Sequence, residues 1–335
     1  MTDEQHCKNN GLISFVFCLS LWSAIAGQTL CNPDASPEAK SLYSFLQSIA
    51  GKKIVSGQAN PKHVDYIRSV TAKTPALVGF DLNGVCPSQH GNENAPKAIQ
   101  WAKEQHGLVQ FQWHWISPNG IQDGDFYTKN VKTFKLAEAL KDKNSLEYKN
   151  LLRDLDLAAA ELEKLRDAGV PVLWRPLHEA EGKWFWWGAS GGDACKELYR
   201  LIYDRFTKVH KLNNLIWVWT SYGTTKGENW YPGDDVVDVI VWDYPKDDDW
   251  SKLQALFAKS NKIFAIGESG RVPDPGIITT QAWTYFMTWD YMVLDPVEKD
   301  KGKDEARGKN SKDRLRTVFN DPRVLTLDAL AQTIK

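Results

Sequence analysis

Residues 151–179 read LLRDLDLAAAELEKLRDAGVPVLWRPLHE. Two periodicities meet in that stretch. Leu151, Leu155, Ala158, Leu162 and Leu165 recur at helical spacing and make one apolar face. Gly169 then supplies the backbone freedom at which a helix stops. From Val170 the apolar residues run on without alternation, as in a strand covered on both faces. The run closes on two ionisable residues, His178 and Glu179. An amphipathic helix that delivers a fully covered strand is the building unit of a parallel α/β fold.

The same unit recurs in both directions from there. Candidate strands are 53–58 (KIVSGQ), 75–82 (PALVGFDL), 107–115 (GLVQFQWHW), 170–179, 214–221 (NLIWVWTS), 236–245 (VVDVIVWDYP), 262–270 (KIFAIGESG) and 282–290 (AWTYFMTWD). Between the fourth and fifth, Asp193 is the expected N-cap of a helix whose Leu198, Leu201, Ile202, Phe206 and Val209 share a face. Eight such units over about 250 residues predict a (β/α)8 TIM barrel, with a doubly wound sheet as the runner-up. No linker, repeat or low-complexity tract marks a second domain, so residues 27–335 are expected to form a single catalytic domain. The mixed-charge run 295–314 reads as a solvated loop after the eighth strand.

Composition narrows the function. In 335 residues, 41 Lys and Arg stand against 42 Asp and Glu, which gives no basic face for nucleic acid or an anionic membrane. Fifteen Trp, 11 Tyr and 13 Phe exceed what a core needs, and point to an aromatic surface that meets a flat or hydroxylated ligand. Residues 11–27 form an apolar run ending in Ala24-Ile25-Ala26, so 1–26 is expected to be a secretory signal, although Asp3 and Glu4 stand where positive charge is usual. The mature protein is then secreted, with Cys31, Cys86 and Cys195 remaining; one disulfide is open to any pair of them. Their spacing fits no zinc site, and no Asn-x-Ser/Thr sequon occurs.

In a barrel of this kind the chemistry sits at the C-terminal ends of the strands. Those ends carry Asp81, His114-Trp115, His178-Glu179, Ser221-Tyr222, Asp243-Tyr244, Glu268 and Trp289-Asp290. Glu179 and Glu268 each follow an apolar run directly, on the fourth and seventh strands. Two carboxyl groups facing each other across a pocket suit glycoside hydrolysis, one protonating the leaving oxygen and the other attacking the anomeric carbon. Glu179, beside Trp184, Trp186 and Trp187, is expected to hold its proton towards neutrality, and Glu268 to stay ionised through hydrogen bonds. Indoles around the rim suit the C–H face of a pyranose. Two ordinary salt-bridged glutamates are the bland alternative.

Other chemistries fail on spacing. His178-Glu179 is followed by Gly182 where a zinc-protease HExxH needs its second histidine. Residues 188–192 match G-x-S-x-G, but the later His210 lies within a helical pattern. Neither a P-loop nor a dinucleotide glycine motif follows any strand, so no cofactor and no metal is expected.

The stretch Trp174-Arg175-Pro176-Leu177-His178-Glu179, continuing through Gly182-Lys183-Trp184-Phe185-Trp186-Trp187-Gly188, resembles glycoside hydrolase family 26, best known for endo-β-1,4-mannanases. Gln112-Trp113-His114, Ile266-Gly267-Glu268 and the tail 321–326 agree with it, so the likeness runs from about Lys53 to the C-terminus. The resemblance implies a retaining double displacement with Glu179 as acid/base and Glu268 as nucleophile. It implies that Arg175 organises the carboxylates, that His178 touches the nucleophile or the sugar, and that His114, Trp184 and Trp289 line sugar subsites. Tyr244 would hold Glu268 by a hydrogen bond. The family commonly leaves one residue between the sixth-strand Asp and Tyr, whereas Asp243 and Tyr244 are adjacent here. Trp115 and Trp187 are further stacking candidates that a core could equally claim.

The expected partner is a mannan-type polysaccharide or its oligosaccharides, and the expected state a monomer. The same machinery acting on mixed-linkage β-glucan or β-1,3-xylan is the first alternative, and a non-catalytic carbohydrate-binding barrel the second. Internal or terminal attack depends on loops closing the groove, for which 116–147 and 290–311 are the candidates.

Overall fold

A computed structural model describes residues 29–85, 93–119, 124–221, 229–246, 249–296 and 308–333. Eight parallel strands close on themselves: β1 (Ile54–Gln58), β2 (Leu77–Asp81), β3 (Leu108–Gln112), β4 (Val172–Arg175), β5 (Leu215–Ser221), β6 (Val239–Asp243), β7 (Ile263–Ser269) and β8 (Trp283–Thr288). The ring closes where β1 pairs with both β8 and β2. The (β/α)8 expectation holds, and each strand falls within its predicted stretch. A short ninth strand, β9 (Val324–Leu325), pairs in parallel with the start of β1 and gives the tail its place.

Two cores result from the alternation of side chains along each strand. Leu173, Ile216, Val218, Val239, Val241 and Ala265 point inward and fill the barrel. Trp174, Trp217, Trp219, Ile240, Trp242 and Ile266 point outward beneath the helices. Helix α1 (Pro37–Ile49) starts at Ser36, whose hydroxyl accepts from the Ala39 N–H, and places Leu42, Tyr43, Leu46 and Ile49 in the inner core. It plugs the N-terminal end of the barrel and leaves the opposite end open for chemistry.

Around the ring run α2 (Val64–Thr71), α3 (Asn94–Glu104), α4 (Leu136–Lys141), α5 (Leu146–Asp167), α6 (Trp186–Ala189), α7 (Gly192–Asp204), α8 (Asp249–Leu256), α9 (Lys312–Phe319) and α10 (Leu327–Thr333). The stripe of α5 is buried as expected, and Gly169 takes φ +63° behind it. Three expectations need correction. The N-cap of α7 is Gly191, with Asp193 inside the first turn. Val209 leaves the buried face and is 61% exposed, because residues 205–209 form a wider π-helical turn that rotates the register. Within 295–314, Asp295 and Asn310 are buried and α9 begins at Lys312, so only part of that run is left to be a loop.

Residues 1–26 and Cys86 lie outside the described residues. Cys31 and Cys195 are not bonded to each other. Among the described residues no helix is long and apolar enough to cross a membrane.

Candidate active site

The open end of the barrel is organised by one buried cation. Arg175, the last residue of β4, points inward and is fully buried. Its Nη1 donates to Gln112 Oε1 at 2.8 Å and Glu268 Oε1 at 2.9 Å, its Nε donates to Thr220 Oγ1 at 2.9 Å, and its Nη2 donates to Asp243. Burial by itself would weaken its hold on the proton, but Asp243 and Glu268 outweigh that and keep it firmly charged. A guanidinium can serve four acceptors at once because its donors form a rigid planar fork.

Glu268 reaches this cation through a backbone irregularity. Ala265 of β7 faces the inner core and Ile266 the outer one, so strict alternation would send residue 268 outward. The register jumps instead: Ile266 pairs with Trp242, and Glu268 with the next residue, Asp243. Gly267 is the extra residue of a bulge, and the bulge turns Glu268 into the barrel mouth. A Cβ at position 267 would collide with the Asp243 carboxylate and Val241, so only glycine fits. Tyr244 completes the grip. Its backbone N–H donates to Glu268 O at 2.6 Å and its hydroxyl to Glu268 Oε2 at 3.1 Å. The adjacency of Asp243 and Tyr244 is accommodated by a left-handed Tyr244, φ +52°.

Glu179 stands on strained backbone. Leu177, Glu179 and Lys183 all have φ between +52° and +59°. Non-glycine residues persist in that region only where the surroundings hold them, which is common at active sites. Trp184 Nε1 donates to Glu179 Oε2 at 3.0 Å. The indole ring lies so close over Gly182 that any Cβ there would clash with it. Burial and then the nearby Glu268 charge push the Glu179 carboxyl up to about 7. Glu179, Asp243 and Glu268 each offer an oxygen within 4.8 Å of the others, the one such acidic group among the described residues that could hold a metal ion. Arg175 already bonds two of the three.

Two histidines in contact have opposite tendencies. His114 rests on Asp81 through Nδ1 and through its backbone N–H, the latter at 3.0 Å. Burial opposes its charge, but the Asp81 carboxylate prevails and raises its proton affinity. His178 lies edge-on to it, ring centroids 4.7 Å apart, and is pushed well down by burial and then by His114 and Arg175. Trp289, at 6.1 Å from the His114 ring, lines a cavity of about 380 Å3 together with His114, Asn60, Tyr127 and Asp290. A larger cavity of about 660 Å3 opens beside Glu181, Trp230 and Phe257, away from the carboxyl pair.

Eight of the nine expected site residues therefore meet at one rim: Glu179, Glu268, Arg175, His178, His114, Trp184, Tyr244 and Trp289. Trp115 does not. Its indole is fully buried, stacked on Trp113 at 4.1 Å, with Nε1 donating to Asp154 Oδ2 at 3.1 Å. Trp187 is likewise buried and donates to His178 O at 2.9 Å. Asp81 and Asp243 stand at strand ends and were visible there, but their roles as a histidine partner and a cation partner depend on contacts across the barrel. Phe126, its ring 4.9 Å from that of His114, and Tyr127 and Asn60 of the same cavity sit in loops without periodicity and left no signal in the sequence.

A closed parallel barrel with two carboxyl groups paired at its C-terminal mouth is the layout of glycoside-cleaving barrels. Residues 31–329 match the model of glycosyl hydrolase family 26, and the chain belongs to that family. It is 40% identical over 321 residues to a mannan endo-1,4-beta-mannosidase of Thermothelomyces thermophilus, covering 90% of this chain and 63% of that protein. A mannan endo-1,4-beta-mannosidase A of Piromyces sp is 32% identical, with 90% and 50% covered. The chain thus spans about half to two thirds of the length of these relatives. Among solved structures, a beta-mannanase from a symbiotic protist of the termite Reticulitermes speratus, complexed with gluco-manno-oligosaccharide, superposes with a TM-score of 0.79. That likeness is at 34% identity and covers 90% of this chain and 97% of the other. A Podospora anserina GH26-CBM35 beta-(1,4)-mannanase gives 0.80 at 37% identity, with 92% and 70% covered.

Proposed function

We propose that this protein is a retaining endo-β-1,4-mannanase that cuts mannan, glucomannan or galactomannan by double displacement. The observation that carries the reading is the pairing of Glu179 and Glu268. Their oxygens approach within 4.8 Å, on the short side expected of retaining enzymes and well below the ~6.5–9.5 Å that an inverting enzyme needs for its water.

Glu179, held up at about 7, is protonated at the start and gives its proton to the glycosidic oxygen as that bond breaks. Glu268, oriented by Arg175 and Tyr244, attacks the anomeric carbon and forms a glycosyl ester. Esterification removes the Glu268 charge, one of the two causes of the high Glu179 proton affinity, so Glu179 is stable as a carboxylate in the intermediate and is ready to act as a base. It then takes a proton from water, whose oxygen displaces Glu268 and releases the sugar. Trp184, bonded to the acid and half-buried at the cleft, is placed to stack on a sugar next to the bond being cut. The relatives' names support mannan over other β-glycans, and an apolar segment at 11–27 supports export.

The test is product sizing. Wild type incubated with mannohexaose, glucomannan, lichenan and xylan should give internal cleavage products from the first two. Glu268→Ala should abolish nearly all of this turnover and leave a folded barrel. Substantial activity in that variant would refute the nucleophile assignment, and products from lichenan or xylan alone would move the substrate to another β-glycan.

A further inference from the structure

Asp290 stands where two rim segments meet, the one after β1 and the one after β8. Its Oδ1 accepts from Asn60 Nδ2 at 3.0 Å and lies 2.9 Å from His63 Nε2. Its backbone oxygen accepts from Gln58 Nε2 at 3.1 Å. Three side chains from one segment thus converge on a single residue of the other. Asp290 has φ +20°, which a non-glycine residue keeps only when its surroundings impose it. Immediately before it, Trp289 is fixed by its N–H donating to Ser269 O at 2.8 Å, and Ala59 N–H ties the segments again through Thr288 O at 2.9 Å.

These bonds do more than close a loop. The Asp290 side chain remains 30% exposed, and it lines the same cavity as Trp289, Asn60 and Tyr127. Glu179 and Glu268 do not line that cavity, whereas His114 does, so on the glycan reading it takes a sugar neighbouring the one attacked. We propose that Asp290 is a positioning and sugar-binding residue of the glycan cleft. Through one carboxylate oxygen it clamps the β1 segment to the β8 segment and fixes the angle at which Trp289 meets a sugar ring. Through its exposed edge it accepts hydrogen bonds from the hydroxyls of that sugar. A carboxylate suits this task because a charged acceptor roughly doubles the strength of a hydroxyl hydrogen bond.

The inference rests on the cleft being a glycan site, and the test separates the two. Kinetics on mannohexaose are compared for wild type, Asp290→Ala and Asp290→Asn. Asp290→Ala should raise KM about tenfold, the effect of losing one good hydrogen bond to a charged group, while kcat stays within about twofold. Asp290→Asn keeps an acceptor oxygen for Asn60 but not the charge, and should recover only part of the loss, with a KM between those of wild type and Asp290→Ala. An unchanged KM in Asp290→Ala, or equal failure of the Ala and Asn variants through kcat, would overturn the proposal. If Asp290→Ala does not fold, Asn60→Ala loosens the same clamp from the other side and is judged by the same KM criterion. A wild type that leaves mannohexaose intact sinks the mannanase reading instead, and the variants are then compared on the β-glycan that it does cleave.

Discussion

Replacing Glu179 with Gln should make the protein more stable, and only at neutral and alkaline pH. An ordinary glutamate carboxyl titrates at 4.5, and Glu179 in the folded protein at about 7. The folded state therefore binds this proton more tightly than the unfolded chain does. The group's contribution to stability is complete below about pH 4.5 and is lost as pH rises through about 7. At 1.36 kcal/mol for each tenfold in proton affinity, the ionised group costs the fold about 3 kcal/mol above pH 8. Gln keeps the shape and an acceptor for Trp184 Nε1, but carries no charge to bury beside Glu268. With an unfolding entropy of about 2.1 cal/mol/K per residue over roughly 300 residues, the relief amounts to about 5 °C in melting temperature. Thermal melts of wild type and Glu179→Gln from pH 4.5 to 8.5 measure it directly. The wild-type kcat/KM should fall over the same window, above about pH 7, as the acid form is lost. A gain of equal size at pH 4.5, or none at pH 8.5, would refute the account of a carboxyl kept protonated by burial and a neighbouring charge.

Two further substitutions separate packing from chemistry. Gly267→Ala drives a methyl group into the Asp243 carboxylate and Val241, so it should cost about 1–3 kcal/mol in stability. Because Asp243 and Glu268 share Arg175, the same shift should lower kcat by about a hundredfold, the penalty of roughly an ångström of misplacement; denaturant melts and steady-state kinetics check both. Trp115→Phe removes the donor to Asp154 Oδ2, leaving only the Arg153 bonds to Oδ1 of a carboxyl that burial raises to about 6, and should lower stability by about 1–3 kcal/mol. Its KM for mannohexaose should match wild type, whereas a sugar-stacking indole would show itself there.

The rim was largely legible from the sequence because each strand is an apolar run that ends on a polar residue. Glu179 and Glu268 could be picked out on that ground, and Arg175, His178 and Tyr244 through the stretches that resemble the family. The indoles were not so easily sorted. Trp115, Trp184, Trp186 and Trp187 are equivalent as letters, yet only Trp184 reaches the acid, because Gly182 leaves room for its ring to fold back over the turn. Trp186 and Trp187 instead spend their N–H groups on Trp115 O and His178 O, beneath the cleft. Asn60, His63 and Asp290 come from opposite ends of the chain, and no local pattern could have joined them.

The sequence by itself determined the barrel, since eight continuous apolar runs separated by amphipathic helices can bury both faces of their strands in few other ways. It also determined which acids close the apolar runs that hold the fourth and seventh strands. Only the tertiary structure decided that those acids face each other. Regular alternation along β7 turns Glu268 away from the barrel, and one extra residue at Gly267 reverses it. That bulge requires glycine, because the Asp243 carboxylate and its bond to Arg175, assembled from separate strands, occupy the space that any larger side chain would need.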